Sequence, residues 1–249
     1  HGGTLDPMAS GILPVLFGEA TKFAQQGLDA DKTYVATVAL GQETDTGDAE
    51  GQVVSRQAVC VTRAELEQVL VAQLGSQDQK PPMYSALKHQ GRPLYEYARA
   101  GQTVDKPARQ IHIHQIDLLS FDSPIAVIRV RCSKGTYIRV LAQTIGHQLG
   151  CGAHLAALRR TGVGSLQIEQ AISLEALDAM VLQDREACLL PVDALAEHWP
   201  TVVLSPAEAQ ELSFGRSIDF EAERLSQVLA SAGCHSPDKF RLYDTEQHF

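Results

Sequence analysis

The sequence is poor in aromatic residues and in cysteine, and it contains no long apolar run. Aromatic side chains make up 6% of its 249 residues, with a single tryptophan. No apolar stretch approaches the roughly 18 to 20 residues that a membrane-spanning helix needs. The cysteines form no CxxC pair and no regular framework, so we expect reduced thiols and a cytoplasmic setting. They are Cys60, Cys132, Cys151, Cys188 and Cys234.

The motifs of several common enzyme classes are missing as well. There is no P-loop, no GxGxxG after a strand, no GxSxG and no HExxH, which argues against nucleotidyl-transfer, dehydrogenase and hydrolase chemistry. His112 and His114 have no cysteine or acidic partner at ligand spacing, so we interpret them as strand residues and expect no metal site. The chain starts at His1 without an initiator methionine, so we expect the natural start to lie upstream.

The net charge of −9 is unevenly distributed along the chain. Residues 164–249 carry 15 acidic and five basic side chains, whereas residues 1–163 carry 15 acidic and 16 basic ones. The stretch 128–160 has six basic residues and no acidic one, and the stretch 80–110 has six basic and two acidic residues. Phosphates respond to local charge, because salt screens the field beyond about 8 Å. The two stretches fit either a nucleic-acid partner or a solvated basic face.

Apolar periodicity predicts strands and helices that are interspersed without a regular βαβ alternation. The predicted strands are 33–40, a short one around Val53 and Val54, 110–119 and 125–132. One predicted helix begins after the Thr62–Glu65 capping box and ends at Gly75. Two others cover 93–101 and about 136–149, and a fourth begins after Ser173. We therefore expect an α+β fold with a mixed, mainly antiparallel central sheet flanked by helices. The pattern of residues along the chain changes near Trp199, and this change predicts a domain boundary there.

Residues 1–14 form a tight loop in this interpretation, and Asp6 stands within it among glycines and prolines. An aspartate before a proline is either a turn residue or a carboxylate held ready as nucleophile or base. Such a carboxylate needs a partner that orients it. Arg139, at the start of the amphipathic helix, could be that partner, a phosphate contact or a surface arginine.

Long segments of the sequence resemble the motifs of a known enzyme family. They are HGGTLDPMASGILPVLFGEATKF, DKTYVATVALGQETDTGDAEG, PPMYSALKHQGRPLYEYARAG, RCSKGTYIRVLAQTIG and HLAALRRTGVGSL. In this order they resemble the bacterial tRNA pseudouridine-55 synthase family, the TruB type, over about residues 1–195. The resemblance implies a pseudouridine synthase catalytic domain over 1–199 without its N-terminal segment. It also implies a small, partial PUA-like RNA-binding β domain over 200–249.

The resemblance implies roles for three residues at the reacting base. Asp6, in GTLDP, matches the catalytic aspartate of the family. Tyr34, in KTY, matches the tyrosine that stacks on the target uracil and is proposed to handle its C5 proton. Arg139, in GTYIR, matches the arginine that pairs with the aspartate. We expect Arg139 to preserve the charge of the carboxylate during desolvation and to fix its geometry.

Six more residues are predicted to bind substrate RNA: His1, Asp48, Lys88, Lys134, Tyr137 and Arg159. Tyr137 and Lys134 belong to the same motif as the arginine, and Asp48 matches a polar loop residue in TGDAEG. His1 matches a histidine that fills the space vacated by flipped bases. The remaining two come from the two basic stretches.

The implied activity is the isomerisation of uridine 55 in the tRNA T-loop to pseudouridine by base flipping. The reaction is redox-neutral, so we expect no cofactor and no metal. The expected partner is tRNA, with no membrane, no obligatory protein partner and a monomeric state. The aspartate could attack C1′, attack C6 or remove the C2′ proton. The alternatives are a guide-dependent rRNA pseudouridine synthase and a catalytically inactive RNA-binding or RNA-folding module.

Overall fold

The computed structural model describes residues 1–232, 238–246 and 249. The chain folds into two compact units, and each is described by itself. The larger unit comprises Gly3–Pro14 and Leu28–Ala171. The smaller one comprises His1–Gly2, Val15–Gly27 and Ile172–Phe249. No helix within the described residues is long and apolar enough to cross a membrane.

Strands are numbered in chain order over the described residues. They are β1 (Ser10–Gly11), β2 (Lys32–Leu40), β3 (Gln42–Thr44), β4 (Val53–Arg56), β5 (Gly75–Gln79), β6 (Lys88–His89), β7 (Arg92–Pro93), β8 (Arg109–Asp122), β9 (Ile125–Cys132), β10 (Ala153–Val163), β11 (Leu166–Gln167), β12 (Thr201–Val203) and β13 (Arg241–Tyr243).

The α-helices are numbered in the same way. They are α1 (Ala24–Asp29), α2 (Arg63–Ala72), α3 (Leu94–Arg99), α4 (Ile138–Gln148), α5 (Leu174–Ala179), α6 (Leu182–Ala187), α7 (Pro206–Ser213) and α8 (Ala222–Ala232). Short 3₁₀ segments cover Gly18–Phe23, Ile168–Gln170 and Ala194–Ala196.

The larger unit is built on one sheet with the strand order β1-β10-β2-β9-β8-β5, and β11 pairs with β10. Neighbouring strands are antiparallel except β1 and β10, which are parallel. The predicted α+β fold with a mixed, mainly antiparallel sheet is confirmed. The two-residue β1 is the point where the predicted N-terminal loop joins this sheet.

Alternation along β9 explains how the sheet buries one face. Ala126, Ile128, Val130 and Cys132 are buried, while the arginines between them are exposed. The buried face packs into a core with β2, β8 and β10, and α2 and α4 contribute leucines and isoleucines to the same core. The predicted strands and helices of this unit are therefore present. The core holds β2 and α4 in place, and these elements carry predicted site residues.

The helix after the capping box ends earlier than predicted. Thr62 and Glu65 form the reciprocal cap of α2, as predicted, but the helix stops at Ala72. The apolar period continues to Leu74, yet Leu74 is exposed, and Gly75 begins β5 with a φ of 92°. Strand β5 was not predicted, because its sequence GSQDQ lacks β-branched and aromatic residues. Pairing with β8 overrides that low propensity.

The smaller unit combines segments that are distant in sequence. The ring centroid of Phe23 lies 6.2 Å from that of Trp199 and 5.6 Å from that of Phe249. This packing joins the 3₁₀ segment to the C-terminal region within the smaller unit. In the described part of 200–249, β12 and β13 form a two-stranded parallel sheet, accompanied by α7 and α8. The domain boundaries and the PUA-like character stay predictions.

Close packing of α4 on β10 makes Gly146 intolerant of a side chain. A Cβ at Gly146 would overlap the backbone nitrogen of Ala153. We expect Gly146→Ala to lower the free energy of unfolding by about 3 kcal/mol, the range of core overpacking. Urea denaturation followed by circular dichroism measures this. Gly150→Ala is the control, because Gly150 has a φ of 73° but open space around its Cβ position, and we expect a loss of about 1 kcal/mol. Equal losses would contradict the packing argument.

Candidate active site

The loop that carries Asp6 is tied to the edge of the central sheet. The main-chain N–H of Ala9 donates to the carbonyl oxygen of Asp6 at 2.9 Å, which closes a turn around the aspartate. Ser10 and Gly11 then pair with β10 in parallel. The side chain of Asp6 is 33% exposed. The loop therefore presents a carboxylate that is held by its backbone and still accessible.

Arg139 lies in the first turn of α4 with only 4% of its side chain exposed. Its Nε donates to Oδ2 of Asp6 at 2.8 Å. Its Nη1 donates to the carbonyl oxygen of Thr46 at 3.1 Å, and its Nη2 donates to that of Tyr84 at 2.7 Å. Charge-assisted hydrogen bonds of this kind fix the position of both partners. Arg139 therefore orients Asp6 and is itself held by two other loops.

Asp48 supplies a second carboxylate to the same guanidinium. Its Oδ2 lies 3.4 Å from Nη1 of Arg139, and its side chain is 5% exposed. Its Oδ1 accepts hydrogen bonds from Oγ1 of Thr46 at 2.6 Å and from the N–H of Glu50 at 3.1 Å. Asp48 is thus saturated and buried, whereas Asp6 is accessible. Together the two carboxylates exceed the single positive charge of Arg139, and of the two only Asp6 is accessible to a substrate.

Tyr34 stands on β2, where it pairs with Arg160 of β10 and Val130 of β9. Burial raises the pKa of Tyr34 to about 12, and the negative charge of Asp6 contributes to the rise. The positive charge of Arg160 acts in the opposite direction. The phenol is therefore neutral at ordinary pH. It can donate a hydrogen bond and offer its ring, but it is not itself a base.

Tyr137 precedes α4 and is fixed by a residue that sequence reasoning missed. Gln79 at the end of β5 accepts a hydrogen bond from the N–H of Tyr137 at 2.7 Å and donates one to its carbonyl oxygen at 3.1 Å. The guanidinium carbon of Arg109 lies 5.0 Å from the centroid of the Tyr137 ring. The side chain of Gln79 is 6% exposed. It braces the N-terminus of the helix that carries Arg139.

The other four predicted RNA-binding residues are exposed. Lys134 forms an ion pair with Asp29 at 2.8 Å. Lys88 lies in β6, and Arg159 lies in β10 opposite Ser10; both are exposed. His1 belongs to the smaller unit. The roles of these residues stay predictions.

Sequence reasoning also missed Thr46 and Arg160. Thr46 stands in the same TDTGDAEG segment as Asp48, so its proximity was available from the motif. Arg160 stands in the segment HLAALRRTGVGSL and in the acid-free basic stretch, but neither observation gave it a role. Its side chain is 1% exposed, which no local pattern indicates.

Two family models cover most of the chain. Residues 1–138 match the model described as TruB family pseudouridylate synthase (N terminal domain). Residues 139–197 match the model described as tRNA pseudouridylate synthase B C-terminal domain. Asp6, Tyr34 and Asp48 fall within the first match, and Arg139 begins the second.

Curated relatives agree with these models. A protein of Azoarcus sp. (strain BH72) named tRNA pseudouridine synthase B is 57% identical over 218 residues, which cover 88% of this chain and 73% of the relative. A protein of the same name from Cupriavidus pinatubonensis (strain JMP 134 / LMG 1197) is 53% identical over 249 residues, covering 96% of this chain and 78% of the relative. The fold and these matches define a pseudouridylate synthase. Within that class, the chain belongs to the TruB family.

Solved structures have the same fold. A chain in the "Crystal Structure of a Cbf5-Nop10-Gar1 Complex" has a TM-score of 0.66 and 29% sequence identity, and the match covers 87% of this chain. A chain in the "Structure of H/ACA RNP bound to a substrate RNA containing 2'-deoxyuridine" has a TM-score of 0.64 and 27% identity. This protein spans 58% of the length of each of these solved chains.

The raised pKa of Tyr34 predicts a specific pH dependence of stability. The pKa is about 12 in the folded chain against an ordinary value of 10.0. Between these values the unfolded chain has lost the phenolic proton that the folded chain keeps, so stability falls as pH rises from about 10 to 12. We expect Tyr34→Phe to reduce this slope, measured by urea denaturation across that range. Tyr95→Phe, at an exposed position on α3, is the control. Identical slopes for wild type and Tyr34→Phe would refute the assignment.

Proposed function

We propose that this chain isomerises uridine 55 in the T-loop of tRNA to pseudouridine. The observation that carries the proposal is an accessible carboxylate, Asp6, held at 2.8 Å by an arginine that is almost fully buried. The relatives named tRNA pseudouridine synthase B support the choice of tRNA as substrate. The same site would act on a uridine that has been extruded from the folded RNA loop.

The reaction breaks the N1–C1′ bond of uridine and forms a C5–C1′ bond. The C5 proton is released and N1 gains a proton, so atoms and electrons balance without an outside group. Asp6 attacks C1′ or C6, or removes the C2′ proton, and each route needs an ionised, oriented carboxylate. Arg139 stabilises the negative charge of the Asp6 carboxylate and fixes its orientation. Asp48 pairs with the same guanidinium from the buried side.

Tyr34 receives the extruded uracil in this proposal. Unstacking a base from the RNA loop costs a few kcal/mol, and stacking on an aromatic ring recovers about 1–3 kcal/mol. Because the pKa of Tyr34 is raised to about 12, its phenol stays protonated through the cycle. It therefore takes the C5 proton only while its own hydroxyl proton passes to a second acceptor, so it relays the proton rather than acting alone as the base.

RNA binding is assigned to the predicted set beyond the reacting base. Lys88, Lys134 and Arg159 would contact phosphates, and Tyr137 would line the substrate site. His1 would fill the space that flipped bases leave in the T-loop. We further propose that the chain works as a cytoplasmic monomer without a protein partner. The cysteines within the described residues are free thiols, in keeping with a reducing compartment.

A guide-dependent enzyme is the alternative, because the similar solved chains include one titled as an H/ACA RNP with substrate RNA. Incubating a T-arm hairpin with this chain alone distinguishes the guide-independent enzyme from the guide-dependent one. We expect tritium release from C5-labelled uridine without any guide. An inert chain that gains activity only with a guide complex would favour the alternative.

Substitution of Asp6 tests whether its carboxylate takes part in turnover. Asp6→Asn keeps the size and much of the hydrogen bonding of the side chain but removes its charge, so we expect turnover to fall by at least about 10³-fold. RNA affinity stays within about threefold, since Asp6 makes no phosphate contact. Tritium release and filter binding measure the two quantities. Asp78→Asn, at an exposed position on β5, is the matched control. Substantial turnover by Asp6→Asn would remove Asp6 from the mechanism.

Substitutions of Lys88 and Arg159 test the phosphate contacts proposed for these two residues. Lys88→Gln and Arg159→Gln should each weaken T-arm binding and reduce the slope of log affinity against log salt by about 1. Arg63→Gln is the control, because Arg63 lies on α2 in an exposed pair with Glu67. Binding isotherms at several salt concentrations give the slopes. If a variant has the same slope of log affinity against log salt as the wild type, the side chain that was replaced does not contact a phosphate.

A further inference from the structure

Arg160, on β10 of the larger unit, is a charged residue with 1% of its surface exposed. Among the described residues, no carboxylate lies within ion-pair distance of its guanidinium. A buried charge without such compensation is costly unless every donor is hydrogen-bonded. The partners of Arg160 therefore reveal what its burial accomplishes.

Those partners are main-chain carbonyl oxygens at both ends of the loop that carries Asp6. Nε donates to Ile12 at 2.8 Å. Nη1 donates to Thr4 and Nη2 donates to Gly3, each at 3.3 Å. Because Asp6 lies between these attachment points, a single side chain closes the loop around the aspartate.

The backbone of the same residue completes the attachment. The carbonyl oxygen of Arg160 accepts a hydrogen bond from the N–H of Ile12 at 2.9 Å. Gly11, with a φ of 113°, approaches so closely that a Cβ there would overlap this carbonyl group. The loop thus lies directly on β10, and the glycine permits both the backbone conformation and the contact.

Arg160 also faces the aromatic residue of the site. It is the register partner of Tyr34 in the pairing of β10 with β2. The positive charge of its guanidinium opposes the rise in the pKa of Tyr34. The same charge contributes to lowering the pKa of Lys32, which is also buried, to about 8, although desolvation is the larger cause. One guanidinium therefore connects the carboxylate loop with the tyrosine.

We propose that Arg160 is a positioning residue that fixes the Asp6 loop relative to Tyr34 through main-chain carbonyl groups. This inference rests on the proposed function and adds a residue to that site. Arg139 contacts the carboxylate itself, whereas Arg160 acts only through the backbone that carries it. Lysine cannot replace Arg160, because a single ammonium group cannot reach carbonyl groups at both ends of the loop in the fork geometry of arginine.

The test compares Arg160→Lys with Arg63→Lys, which changes an exposed arginine on α2. We expect the single-turnover rate of tritium release at saturating enzyme to fall by about 10-fold to 100-fold in Arg160→Lys, since a displacement near 1 Å costs about that much. The Kd for the T-arm stays within about twofold of wild type. Arg63→Lys retains the wild-type rate. A wild-type rate in Arg160→Lys would overturn the proposal.

Hydrogen exchange separates positioning from a general structural role. In Arg160→Lys we expect faster exchange at the amides of Ala9 and Ile12, whose hydrogen bonds close and anchor the loop. The amides of Ala36 and Val38 in the core keep their protection. If exchange accelerates throughout the sheet and the rate loss equals the loss of folded protein, Arg160 only supports the core and the proposal fails.

A second variant reaches the loop from its other side. Gly11→Ala should push the loop away from β10 while leaving Arg160 intact, with a similar loss of rate at unchanged Kd. In the double variant the combined loss should be smaller than the product of the single losses, because both act on one contact. If Arg160→Lys does not fold, Gly11→Ala decides alone, and an unchanged rate overturns the proposal. A wild-type chain that binds the T-arm without turnover refutes the proposed function, while hydrogen exchange still tests the attachment.

Discussion

Arg139 carries a positive charge into a position where 4% of its side chain is exposed, and the site is arranged to meet that cost. Its donors reach the Asp6 loop, the loop after β3 and the segment before β6. These segments are far apart in sequence and share this one guanidinium. Because the loops converge on the cation, the accessible carboxylate gains a fixed direction. The site is organised around the arginine, and the aspartate is the part it presents.

Local patterns predicted the elements whose stability is local. Strands β2 and β9 follow from alternation, α2 begins at its capping box, and α4 follows from an apolar stripe that is buried as expected. The pattern failed where tertiary pairing decides. Strand β5 is polar and forms because β8 offers hydrogen bonds along its edge. The end of α2 is set by that strand rather than by the last apolar residue.

The site was predictable only in part. Composition could identify Asp6 as a constrained carboxylate but could not join it to Arg139, which lies 133 positions away. The family resemblance joined them, and it also singled out Asp48 and Tyr34. It offered nothing on Gln79 or Arg160, because their importance lies in bonds to main-chain atoms of distant segments. Every residue type has these main-chain atoms, so the residues that accept or donate such bonds cannot be recognised from the sequence.

If Lys134 contacts a phosphate of the RNA, as we propose, that phosphate competes with Asp29 for the ammonium group. A phosphate that arrives at Lys134 replaces a carboxylate instead of water, so the net attraction is the difference between two anions. Asp29, which is 40% exposed, would repel such a phosphate. A backbone path that passes close to Asp29 therefore gains little, whereas one that reaches only the ammonium group gains more. With the proposed phosphate contact, Lys134 would therefore favour some directions of RNA approach over others.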